Sequence, residues 1–168
     1  MGLNKNQLFF TKIKNKILKL QKNKLFLQKN FKHKIMDAQQ LNIDKIFKHW
    51  IESSDEDFKT MNVLFDSKSY NWALFMGHIC IEKLLKAYFV KKNENHAPFT
   101  HNLYRLAELC EIEINEEFTE WLFKITTFNI NARYDDYKKE FYAICTENFT
   151  KEWIEKIKIL QQWIKQML

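Results

Sequence analysis

The chain has 168 residues, a length that suits one domain, and it holds only two glycines and one proline. So few turn formers exclude a β-rich or loop-rich fold, and no run reaches the ~18 uncharged apolar residues of a membrane span. The net charge of +6 arises from residues 1–35, with ten lysines and no acid; the remainder carries 17 basic against 21 acidic residues and so lacks the broad basic footprint of a nucleic-acid binder.

Residues 1–35 form a Lys/Asn-rich extension, with Leu8, Phe9, Ile13 and Ile17 at helical spacing. Three readings compete. The first is a basic amphipathic helix for an anionic surface or nucleic acid. The second is a targeting segment, although it lacks the compact apolar stretch and cleavage site of a signal peptide. The third is that translation starts at Met36, which directly precedes a regular helix pattern; residues 36–168 are then the whole domain.

The first helix of that domain is predicted from Asn42 to Ser67, with Ile43, Ile46, Phe47, Trp50, Ile51, Phe58, Met61, Leu64 and Phe65 on its apolar face. Ser53 to Asp57 interrupt it with a polar patch whose acids read as a solvated face. After a turn over 67–71, a second helix runs from Trp72 to Lys91. It is apolar around most of its circumference, which places it at the centre of a bundle. Gly77 inside it costs about 1 kcal/mol of helix propensity, a cost that a close helix crossing would explain.

Residues 91–99 are a loop, and Thr100-His-Asn-Leu103 opens a short helix to Glu111. Asn115 caps the next helix, with Glu116 and Glu117 in its first turn. That helix carries Phe118, Trp121, Leu122, Ile125 and Phe128. Residues 129–148 fit no element cleanly, and Thr150 is expected to cap a last helix to Met167. The fold expected is an all-α, up-and-down bundle of four to five helices.

Two features carry chemistry. His78, Glu82 and Lys86 stand at i, i+4, i+8, a polar line on a greasy helix that must be paired or wet. Arg133-Tyr-Asp-Asp-Tyr137 offers a guanidinium for a phosphate or carboxylate, with Asp135 and Asp136 as local partners. Arg133 is also a candidate partner for Glu82. The bland alternatives are a polar rim for the first feature and a helix-end salt bridge for the second. His101 reads first as a local hydrogen-bonding residue at a helix start. His33, His49 and His96 show no metal-ligand spacing. The three cysteines, Cys80, Cys110 and Cys145, form no CxxC pair, which argues against zinc and disulfides and for a reducing cytoplasm. No phosphate-cradling loop or nucleophile motif is present, and no metal or cofactor is expected.

Taken in order, Trp50-Ile-Glu-Ser-Ser-Asp-Glu-Asp57, Ala73 with Gly77-His78, Glu82-Lys-Leu-Leu-Lys-Ala87, Pro98 with Thr100-His-Asn-Leu103, and Ala132-Arg-Tyr-Asp135 resemble the HEPN (higher eukaryotes and prokaryotes nucleotide-binding) domain over residues 42–167. The resemblance implies a helical bundle, commonly a homodimer, and in prokaryotes often a toxin–antitoxin pairing with a small nucleotidyltransferase (MNT). Many such toxins are metal-independent ribonucleases with an Arg-x4–6-His motif, in which arginine holds the scissile phosphate and histidine does acid–base work at the 2′-hydroxyl. Arg133 matches the arginine. Lys138, Lys139 and Glu140 stand where the histidine belongs, and no histidine follows His101. The expectation is therefore a dimeric module that binds a nucleotide or RNA phosphate at Arg133, with His78, Glu82, Lys86, His101, Tyr134, Asp135 and Tyr137 lining the site. By analogy, Tyr134 and Tyr137 are candidates for AMP addition by the partner enzyme. The alternatives are a ribonuclease using His78 or His101 as a displaced base, and a non-catalytic helical adaptor.

Overall fold

The computed structural model describes the backbone of residues 5–133 and 135–168, and the side chains without interruption over residues 42–133 and 139–168. Among the described residues the elements are helices: α1 (Lys5–Asp66), α2 (Tyr70–Asn93), α3 (Leu103–Leu109), α4 (Glu116–Arg133), α5 (Asp135–Ile144) and α6 (Glu147–Met167). None is long and apolar enough to cross a membrane. The chain divides into two units, Met1–Asn42 and Ile43–Leu168. In the first, the described side chains of Phe26, Leu27, Phe31 and Ile35 are exposed. The second holds the core.

That core is organised around α2, as its nearly continuous apolar circumference predicts. Ala73, Leu74, Ile81, Leu84 and Leu85 are fully buried, and they cluster with Met61 of α1, Leu103 and Leu106 of α3, Leu122, Ile125 and Phe128 of α4, and Ile157, Leu160 and Ile164 of α6. Gly77 is a close crossing. A Cβ built there would stand 2.5 Å from Ile157 Cδ1 and 3.0 Å from Met61 Sδ, so the absent side chain lets α1 and α6 approach α2.

The all-α bundle stands as expected, and local chemistry moves some boundaries. The unassigned stretch 129–148 resolves into the end of α4 and the helix α5. The last helix is capped by Thr146, whose Oγ1 accepts from Phe149 N, and not by Thr150, which is fully buried inside α6. Thr146 is the last residue with extended backbone, the geometry a cap requires.

The polar patch on α1 is only partly a solvated face. Ser54 is fully buried and donates to the Cys80 carbonyl at 2.9 Å. Lys83 bridges Ser53 Oγ at 2.7 Å and Asp57 at 2.5 Å, and Lys165 pairs with Asp55 at 2.5 Å. The interruption in the apolar face is therefore a seam where α1 meets α2 and α6. Burial pushes the thiols of Cys80, Cys110 and Cys145 up to about 12, which makes them inert packing residues at neutral pH.

Candidate functional site

The polar line of α2 is buried and paired. His78 is fully buried, and Glu82 and Lys86 are nearly so. Lys86 Nζ donates to Glu82 Oε1 at 2.7 Å and lies 5.4 Å from the centroid of the Trp50 ring. His78 Nε2 faces Glu82 Oε2 at 3.1 Å, while its Nδ1 faces the Ile125 carbonyl of α4 at 3.2 Å. Both neighbours are acceptors.

The third donor to Glu82 is His101, whose Nδ1 lies 2.9 Å from Oε2. It reaches the carboxylate from outside α2 because the chain before α3 is tightly organised. Thr100 N donates to the Pro98 carbonyl, Asn102 N to Thr100 Oγ1, and Asn102 Oδ1 caps α3 by accepting from Arg105 N. Leu103 N then donates to Thr126 Oγ1 of α4 at 3.1 Å, pinning the start of α3 beside α4. His101 is therefore more than a local turn residue: its side chain is 62% exposed while one ring nitrogen is tied to a buried acid.

Burial by itself would raise the Glu82 pKa. The hydrogen bonds from His78, Lys86 and His101 outweigh it and hold the carboxyl down at about 2. The acid is thus ionised at any physiological pH. It orients His101 so that Nδ1 donates inward and Nε2 has no partner among the described residues. This is the carboxylate–imidazole arrangement that fixes a tautomer and leaves the outer nitrogen available for proton transfer.

Arg133 does not pair with Glu82, whose two oxygens are taken by the histidines and the lysine. It stands in the last turn of α4 and is exposed. Its Nε donates to the Asn129 carbonyl at 3.1 Å, and its guanidinium carbon lies 5.8 Å from the centroid of the Phe75 ring of α2. Phe75 precedes His78 by one helical turn. The guanidinium, the buried His78–Glu82 pair and the exposed His101 ring therefore follow one another along the α2–α4 seam. Phe75 and Thr126 went unrecognised as site residues. Phe75 reads as one more core aromatic, and Thr126 carries no chemistry until its hydroxyl meets α3. The side chains of Tyr134, Asp135 and Tyr137 lie outside the described residues, as does that of Asp136. No cluster able to hold a metal ion occurs among the described residues.

The HEPN domain family model matches residues 47–167. No curated protein matches the chain. A solved structure, TT1696 from Thermus thermophilus, is similar with a TM-score of 0.62 at 16% identity, over 73% of this chain and 98% of that one. At that identity the likeness speaks for the fold.

Proposed function

The chain belongs to the HEPN domain family, and from that premise we propose that it binds the phosphate of a nucleotide or RNA at Arg133. In this reading it works in the cytoplasm as a homodimer, paired with a small nucleotidyltransferase as toxin and antitoxin. The observation that carries the proposal is the exposed guanidinium seated on Phe75 at one end of a seam that also carries Lys86, His78 and His101 against a single carboxylate. A guanidinium suits phosphate oxygens in particular. The test is binding of labelled RNA and of AMP to the wild type and to Arg133→Ala, beside unfolding curves of both proteins. Loss of binding with stability retained supports the reading. Equal binding by the two proteins, or none by either, refutes it.

A second reading is favoured by His101: a ribonuclease in which Arg133 holds the scissile phosphate and His101 Nε2 takes the proton of the 2′-hydroxyl. Glu82 supplies the orientation that the missing downstream histidine would otherwise require. Total RNA incubated with the protein in chelator is the assay. Cleavage that falls roughly 10²–10⁴-fold in His101→Ala supports this reading, and RNA left intact by excess wild-type protein rejects it.

A further inference from the structure

The edge of α4 that ends at Arg133 begins at an aromatic pair. Phe123, Thr126, Ile130 and Arg133 follow one another at i, i+3, i+7 and i+10, which places them on one side of the helix. Phe123 is stacked on Tyr104 of α3, with ring centroids 4.6 Å apart and planes inclined by 25°, and it is still 49% exposed. Ile130 is 48% exposed between the pair and the guanidinium. Thr126 pins α3 to this edge, so His101 and Tyr104 both enter beside it. In the loop just before His101, Phe99 stands wholly in solvent next to Pro98.

We propose that the Tyr104–Phe123 stack is a base-binding subsite continuous with the Arg133 site, so that the ligand is an unpaired oligonucleotide of at least two residues. The proposal rests on the phosphate reading of Arg133 and adds to it. Ten residues separate Phe123 from Arg133, a span of about 15 Å along the helix. The Arg133 side chain turns back to the Asn129 carbonyl, and a short strand reaches from the ring pair to it, with a sugar–phosphate segment passing His101 on the way. A preassembled pair of rings, one of them half exposed, suits an unstacked base, because any base can lie on an aromatic ring. Bases within a duplex are already stacked on one another and cannot use such a platform.

The experiment compares a labelled ten-nucleotide oligoadenylate, a base-free strand of the same length, and AMP. Each is titrated against the wild type, Phe123→Leu, Phe123→Tyr and Arg133→Ala, and the mass of each protein is measured in solution. Phe123→Leu keeps the apolar volume and removes the ring. It should weaken the oligoadenylate about 5- to 150-fold, leave the base-free strand and AMP unchanged, and be rescued by Phe123→Tyr. Oligoadenylate binding equal to wild type in Phe123→Leu overturns the subsite. So does a change of oligomeric mass in that variant, which assigns the face to contact between copies. Arg133→Ala separates the two claims. If it abolishes binding of both strands while Phe123→Leu is silent, the subsite alone fails. If the wild type binds neither strand, the phosphate reading fails and the subsite with it.

Discussion

Replacing Glu82 with glutamine tests the centre of the site without changing its shape. In the wild type one carboxylate receives hydrogen bonds from a fully buried histidine, a nearly buried lysine and an exposed histidine. The amide cannot accept from all three, and one of its ends presents N–H groups to donors. The Lys86 ammonium, with its side chain 11% exposed, is left without a counter-charge. Breaking a buried pair in this way costs roughly 3–5 kcal/mol, because the surviving charge stays buried. Linkage gives a second figure from the same contacts. A carboxyl lowered from 4.5 to about 2 on folding corresponds to about 3 kcal/mol at neutral pH, counting about 1.4 kcal/mol for each pH unit. Both figures follow from the same buried network, and they agree in size.

The same linkage sets the pH dependence. The folded carboxyl is more acidic than the unfolded one, so its stabilisation is complete above about pH 4.5 and is lost as pH falls toward about 2. Urea unfolding followed by tryptophan fluorescence at pH 7, 5, 4 and 3 measures both quantities, since all five tryptophans lie in the Ile43–Leu168 unit. Wild type should be about 3 kcal/mol more stable than Glu82→Gln at pH 7, and the gap should narrow steadily below pH 4.5. A difference under about 1 kcal/mol at pH 7, or parallel pH profiles, would show that the network contributes little and that Glu82 is effectively solvated.

Gly77→Ala should destabilise the fold by about 1–3 kcal/mol despite the better helix propensity of alanine, because the new methyl meets the buried end of Ile157. Adding Ile157→Val removes the atom it meets and should recover part of the loss, which a double-mutant cycle reads directly. Phe128→Ala empties the centre of a ring cluster formed with Phe141, Phe149 and Trp153; a loss of about 3–5 kcal/mol is expected in denaturant melts. A chain beginning at Met36 should show the same tryptophan unfolding midpoint as the full chain, since among the described residues every core side chain lies at or after Ile51. A midpoint shifted by more than about 1 kcal/mol in equivalent stability would assign the first 35 residues a part in the fold.

The bundle was legible because its signals are local. Apolar spacing places α2 at the centre, and the scarcity of glycine and proline leaves little from which to build a sheet. The line His78, Glu82 and Lys86 was legible for the same reason: residues four apart on a helix must be neighbours. What links that line to the rest of the chain is not local. His101 reaches Glu82 across 19 residues, and Thr126 fixes α3 across 23. A period-based reading holds no information about contacts of that kind. It offers Glu82 the Arg133 cation, and it reads His101, among the described residues the one partner of Glu82 from outside α2, first as a local hydrogen-bonding residue and only through the resemblance as a residue of the site.

That exchange of partners bears on how the chemistry is divided. With two imidazoles and an ammonium satisfying the acid, the guanidinium stays exposed on the Phe75 ring. Glu82 then serves two ends: it holds the buried line of α2 together and it aims His101. A substitution at Glu82 should therefore disturb stability and the pH response together. One at Arg133, which is exposed and lies outside the fully buried core, should disturb ligand binding and cost the fold about 1 kcal/mol or less. Separating the two effects experimentally distinguishes a working site from a rim of charged residues more sharply than either measurement alone.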